Sequence, residues 1–129
     1  MNPIAIDCVA ALGALIFGLG FATTAVRTGL GTLTDSGSDP ASRLYKFVRA
    51  HGNTAEYAPF LAVMILYLGN HNPANWVVWT MIAATVCRYL LVAGMIFPAT
   101  MARPNLMRVI GAIGTYFAGA ALCVAMVTT

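Results

Sequence analysis

The sequence predicts an all-α integral membrane protein, a bundle of four helices running antiparallel, up and down. Three observations predict it. Only 9% of the 129 residues are charged and 60% are hydrophobic, against roughly 25% charged in a soluble domain, so the chain lacks the polar surface that a fold in water requires. Its mean hydropathy is +0.80. The apolar residues also gather into runs of about 20, the length that crosses a bilayer, separated by breaks rich in Gly, Asn and Pro. The length suits one compact unit, a single domain over 1–129 with spans near 6–27, 42–69, 74–97 and 105–127.

The first apolar run, Cys8 to Val26, follows Asp7 and lacks a basic leader, so it reads as a retained span and not a cleaved signal. Gly13, Gly18 and Gly20 predict close packing against a neighbouring helix. Arg27 closes the span. Thr28 to Asp39, with its glycines, serines and two aspartates, is too polar to sit in lipid. Asp39-Pro40 reads as an N-cap followed by Pro at the first helical position, which starts the second helix there. That helix carries Arg43, Lys46 and Arg49, then runs apolar to about Leu68, with Pro59 as a candidate kink. Gly69 to Pro73 is a tight turn without formal charge. The third span, from about Ala74 to Phe97, opens with Trp76 and Trp79 at an interfacial depth and carries Arg88 in its second half. After a short connection bearing Arg103, the fourth span opens near Asn105, carries Arg108 in its first turn and ends near Val127.

The formal net charge is +3, but the basic residues are dispersed beside apolar runs. They read as topology determinants and not as a nucleic-acid surface. Arg27, Arg43, Lys46 and Arg103 flank the first and third connections, which places loops 28–41 and 98–104 in the cytoplasm and both termini outside. Cys8, Cys87 and Cys123 lie in apolar runs with no zinc-like spacing, and read as packing residues.

Function concentrates at the head of the second helix. Arg49, Asn53, Glu56 and Phe60 stand at i, i+4, i+7 and i+11 and line one face; Tyr57 flanks it and His51 points roughly the opposite way. A charged stripe is costly in lipid and must face protein or a water-filled pocket. Measured from membrane edges near Phe47 and Phe97, Glu56 and Arg88 each lie about 9 residues deep, or about 13 Å at 1.5 Å rise. The match predicts an ion pair, within the bundle or across a subunit boundary. With Arg49 and Arg108 near the boundary, the expected site is a cationic cleft with one carboxylate at its floor. Guanidiniums favour carboxylate or phosphate, and Glu56 with Asn53 suits an ammonium. A small zwitterion or polyanion carrying both carboxylate and amine fits, with an apolar co-substrate entering from the lipid.

Each residue also has a plainer use. Arg49 can snorkel, Glu56 and Arg88 can pair structurally, His51 can pack between helices and Asn53 can bond across them. A proton-coupled exporter would require an uncompensated carboxylate, typically in the first span, whose interior here has no charge.

The run Arg49-Ala50-His51-x-Asn53-x-x-Glu56-Tyr57-x-Pro59, at the head of the second of four spans, resembles the MAPEG family, the membrane-associated proteins of eicosanoid and glutathione metabolism. The resemblance covers essentially the whole chain, with an Arg after the first span, an Arg inside the third, and Arg108-Val109-Ile110-Gly111 opening the fourth. The resemblance is to a short, bacterial-type member. It implies a homotrimer in the bacterial inner membrane, with glutathione as co-substrate bound between subunits near the cytoplasmic side, and a transferase or peroxidase acting on lipophilic electrophiles. Some members are instead non-catalytic, lipid-binding or accessory subunits of larger complexes. By position, the resemblance implies that Arg49, Asn53, Glu56 and Tyr57 hold the γ-glutamyl end, that His51 and Arg27 lie near the glycyl carboxylate, and that Arg88 completes the ionic set. It assigns Arg108 first, and Arg103 second, to thiolate stabilisation. Glutathione-using members carry Tyr one or two turns after the third-helix Arg; here those places hold Leu91 and Met95.

Overall fold

The computed structural model describes residues 1–128. They form four helices: α1 (Pro3–Gly29), α2 (Arg43–Gly69), α3 (Asn75–Ile96) and α4 (Leu106–Thr128), with no strand among the described residues. Short connections at alternating ends make them antiparallel. α1, α3 and α4 are long and apolar enough to cross a membrane. α2 is as long as α1, at 27 residues, but its polar first half, from Arg43 to Glu56, keeps it from meeting that measure.

The caps explain the boundaries. The Asn2 side chain accepts from the Ile4 N–H, and Pro3 occupies a first-turn position where no N–H is needed. The Ser42 hydroxyl caps α2 by accepting from the Tyr45 N–H. The expected cap at Asp39 is therefore displaced by three residues. Asp39 instead accepts from the Ala41 N–H and closes a local turn before the helix starts. Asn105 caps α4 by accepting from the Arg108 N–H, while its amide donates to the Gly94 carbonyl and ties α4 to α3.

α3 and α4 make the closest helix pair, because glycines remove the side chains between them. A Cβ at Gly111 would lie 2.5 Å from the Leu91 backbone nitrogen, and one at Gly94 would lie 2.6 Å from that of Arg108. One at Gly114 would collide with the Cys87 sulfur. The expectation had placed such packing on α1. There, Gly13 and Gly18 face open space within the chain, and only Gly20 is approached, by the His51 ring.

The core has two parts. One, which includes Leu12, Ile65, Met81 and Leu122, fills the half of the bundle nearer the termini. The other, smaller part gathers Leu15, Leu19, Ala50, Leu91, Val92 and Met95 toward the opposite, basic end. At that end the two loops are joined. The Met101 N–H donates to the Pro40 carbonyl at 2.9 Å, and the buried Lys46 ammonium donates to the Pro98 carbonyl at 2.6 Å.

Candidate functional site

Thr54 is fully buried, and with Ala50, Ala58 and Leu61 it defines the inward face of α2. Arg88, on α3, points at this face and is only 1% exposed. Its guanidinium donates to the Asn53 side-chain oxygen at 2.7 Å and to the Thr54 hydroxyl at 3.4 Å, and its central carbon lies 5.3 Å from the centre of the Tyr57 ring. Among the described residues, the buried Nε of Arg88 has no hydrogen-bond partner. The helix register expected between α2 and α3 is thus met at residues 53–57 against 88.

The ion pair expected within the bundle is not. Glu56 is exposed on the surface of the chain, and among the described residues it makes no contact ion pair. The reason is helical geometry: Glu56 is two residues, about 200°, round from the inward-facing Thr54. Arg49 is exposed on the same outward side. The stripe of Arg49, Glu56 and Phe60 therefore faces away from the chain's own core, with the half-buried Asn53 and Tyr57 at its border.

A cleft of about 280 Å³ opens beside this border, lined by Asn53, Leu91, Met95, Arg108 and Tyr116. Leu91 and Met95 give it an apolar wall. The half-buried Arg108 donates to the Met101 carbonyl at 2.9 Å and to the Arg103 carbonyl at 3.4 Å, so its guanidinium is held against the α3–α4 connection. Arg103 itself is exposed. A second groove, of about 380 Å³, runs between α2 and α4 along Glu56, Tyr57, Phe60, Met64, Gly119 and Cys123. The cleft and groove share Tyr116.

The other candidates lie apart. His51 packs over Gly20 of α1, and the Arg27 Nε donates to the Asp35 carbonyl at 2.9 Å, bracing the α1–α2 loop. Tyr89 faces α1, where its hydroxyl donates to the Ala11 carbonyl. A larger apolar cleft, of about 700 Å³, separates α1 from α2 beneath that loop, with Arg43 on its wall but none of the stripe residues.

Sequence reasoning missed Tyr116. Its ring lies 5.8 Å from that of Tyr57 at 52°. The signal was present: Arg108, Ala112 and Tyr116 follow one another at i, i+4 and i+8, a single ridge of α4.

Compared with known proteins, residues 6–128 match a family model described as MAPEG family. No curated protein and no solved structure matches the chain.

Proposed function

The chain belongs to the MAPEG family, and on that premise we propose that it is a membrane-bound, glutathione-dependent transferase or peroxidase acting on lipophilic electrophiles. The observation that carries this reading is the outward stripe of α2. A charged and amide-bearing face in an apolar chain needs cover, and a symmetric homotrimer would supply it by placing each stripe against a neighbouring subunit. The residues suit the ligand. Arg49, Asn53, Glu56 and Tyr57 offer donors and a carboxylate for the γ-glutamyl ammonium and carboxylate, with Arg27 and His51 assigned to the glycyl carboxylate. Arg88, nearly enclosed, acts by holding Asn53 and Tyr57 in place.

In the proposed chemistry, Arg108 is the group that holds the sulfur as thiolate, with Arg103 as its alternative. A free thiol has a pKa of about 8.5, which a neighbouring guanidinium lowers. The thiol proton passes to water, the sulfur lone pair forms the bond to the electrophilic carbon, and the bond to a leaving group breaks so that a halide departs as the anion; where the electrophile is an unsaturated acceptor, the displaced π electron pair takes up a proton from water instead. Two reactants held side by side gain effective concentration. In this arrangement the basic end, with loops 28–41 and 98–104, is cytoplasmic, the termini are outside, and the membrane is the bacterial inner membrane.

The test is glutathione conjugation by purified protein with a generic electrophile such as a chlorodinitrobenzene. The wild type is expected to exceed background at least tenfold, and Arg108→Ala and Glu56→Gln are expected to lose most of that rate. Wild-type protein at background would defeat the reading. A second reading, a lipid-binding or accessory subunit without catalysis, is favoured by the apolar wall that Leu91 and Met95 give the cleft. Retention of lipid without glutathione binding would select it.

A further inference from the structure

Arg43 stands apart from its neighbours at the basic end. Arg27, Lys46 and Arg108 donate to backbone carbonyls. The Arg43 guanidinium is exposed and, among the described residues, has neither a hydrogen bond nor an ion pair. It opens α2 on the wall of the apolar cleft of about 700 Å³ between α1 and α2. That cleft exists because α1 is narrow there. Ala25 and Gly29 stand at i and i+4 on one face, and a Cβ at Gly29 would meet nothing within 4 Å. Along α1 the cleft runs from Phe21 to Leu30, about 13 Å at 1.5 Å per residue, close to the depth of one leaflet of a hydrocarbon core about 30 Å thick. Phe21 and Leu30 are 78% and 64% exposed, so the chain itself leaves these walls uncovered. Arg27, two residues before Gly29 and about 200° round α1, braces the loop instead. None of the residues given to glutathione lines the cleft.

We propose that this cleft binds one anionic phospholipid, with an acyl chain lying between α1 and α2 and the phosphate paired with Arg43. Charge complementarity selects that occupant. A guanidinium suits a phosphate, and a basic pocket between spans at the membrane boundary recognises anionic headgroups. The apolar walls below Arg43, with Phe21, Phe47 and Leu30 among them, suit the tail. The chain's own carboxylates are engaged or placed elsewhere. Asp7 lies near the start of α1, at the opposite end of the bundle, and Glu56 lies in the outward stripe. Asp35 and Asp39 accept from the Gly37 and Ala41 N–H groups of their own loop. A lipid phosphate brings the missing anion and the apolar cover in one molecule. The site is independent of the glutathione reading.

The experiment is native mass spectrometry of the detergent-solubilised protein with equimolar phosphatidylglycerol and phosphatidylcholine of matched acyl chains. The wild type is expected to retain the anionic lipid over the zwitterionic one by about fivefold, the preference expected from one basic residue near the membrane surface. Arg43→Gln, a change at an exposed side chain, is expected to bring that ratio below twofold. Ala25→Phe fills the cleft while keeping the cation, and is expected to cut retention of the anionic lipid at least threefold. Arg103→Gln, at the same end but outside the cleft, is expected to keep the wild-type ratio. A wild-type ratio near one, or retention of neither lipid, overturns the proposal. So does a ratio that Arg103→Gln lowers as far as Arg43→Gln, since the attraction would then be diffuse charge and not a site. A changed oligomeric state in Ala25→Phe, with lipid retention unaltered, would give the cleft to a second copy of the chain and overturn it as well.

Discussion

The two ends of the bundle are built by different physics. Near the termini the helices meet through apolar side chains: Leu12, Ile65, Met81 and Leu122 are all but sealed, and the polar tie between α1 and α2 is one backbone bond from the Asn2 N–H to the Gly69 carbonyl. At the basic end the apolar cluster is smaller, and side chains bonded to carbonyls do much of the joining, through Lys46, Arg27, Arg108 and Asn105. The comparison teaches that the candidate site lies toward the end with the smaller apolar cluster, and that polar groups there serve both as fasteners and as candidate ligand contacts.

The sharpest way to break this contrast is at the α3–α4 seam, on which both ends depend. Gly111→Val would force a side chain into the Leu91 backbone and the Cys87 carbonyl. Overpacking against backbone has no flexible neighbour to absorb it, so a loss of about 3 kcal/mol or more is expected, read as the unfolding midpoint in SDS titration. A midpoint equal to wild type would mean that the helices can separate freely and that the seam is not what holds α4. Next comes Leu122→Ala at the packed end. Its side chain is fully buried, and the cavity should cost about 2–3 kcal/mol while leaving glutathione affinity within twofold. A parallel loss of ligand binding would show that the ends are not independent.

Lys46→Met tests the fastened end. The methionine keeps the stem's packing but loses the bond to the Pro98 carbonyl, and a hydrogen bond from a charged group contributes about 1.5–3 kcal/mol. Hydrogen exchange of residues 98–104 should quicken at least fivefold, with the amides of the packed core unchanged. Uniform quickening through the whole chain would argue against a local fastener.

The fold was largely legible because lipid imposes simple rules on length and charge. The four helices formed as expected, three of them apolar enough to cross a membrane, and most of the basic residues gather toward one end. What escaped the sequence was orientation within the bundle. The glycines of α1 looked like the close-packing set, but the glycines that matter are Gly94, Gly111 and Gly114, whose role depends on which helix lies opposite. The motif on α2 was readable as a stripe, and its periodicity was right. Its direction could not be read, because the inward face is set by the small residues Ala50, Thr54 and Ala58 and not by the charges. Tyr116 escaped because a tyrosine in an apolar span has many plain uses, and only its contact with Tyr57 across two helices distinguishes it.

The smallest expected change in stability is also the most discriminating. Arg88 is a buried cation whose contacts are an amide, a hydroxyl and a ring, with no carboxylate among them. Its Nε has no hydrogen-bond partner among the described residues, so the fold gains little from it against the cost of removing its charge from water. Replacing buried charges by apolar groups of similar volume is often neutral or stabilising. Arg88→Met should therefore shift the SDS midpoint by no more than about 1 kcal/mol in either direction. Ligand binding should respond differently, because Asn53 and Tyr57 lose the group that orients them, and glutathione affinity is expected to fall at least tenfold. Arg88→Lys, which keeps the charge but not the planar fork, should recover only part of it. If Arg88→Met destabilised the protein strongly, the guanidinium would be a structural anchor, and the stripe beside it would lose its best argument for being a site.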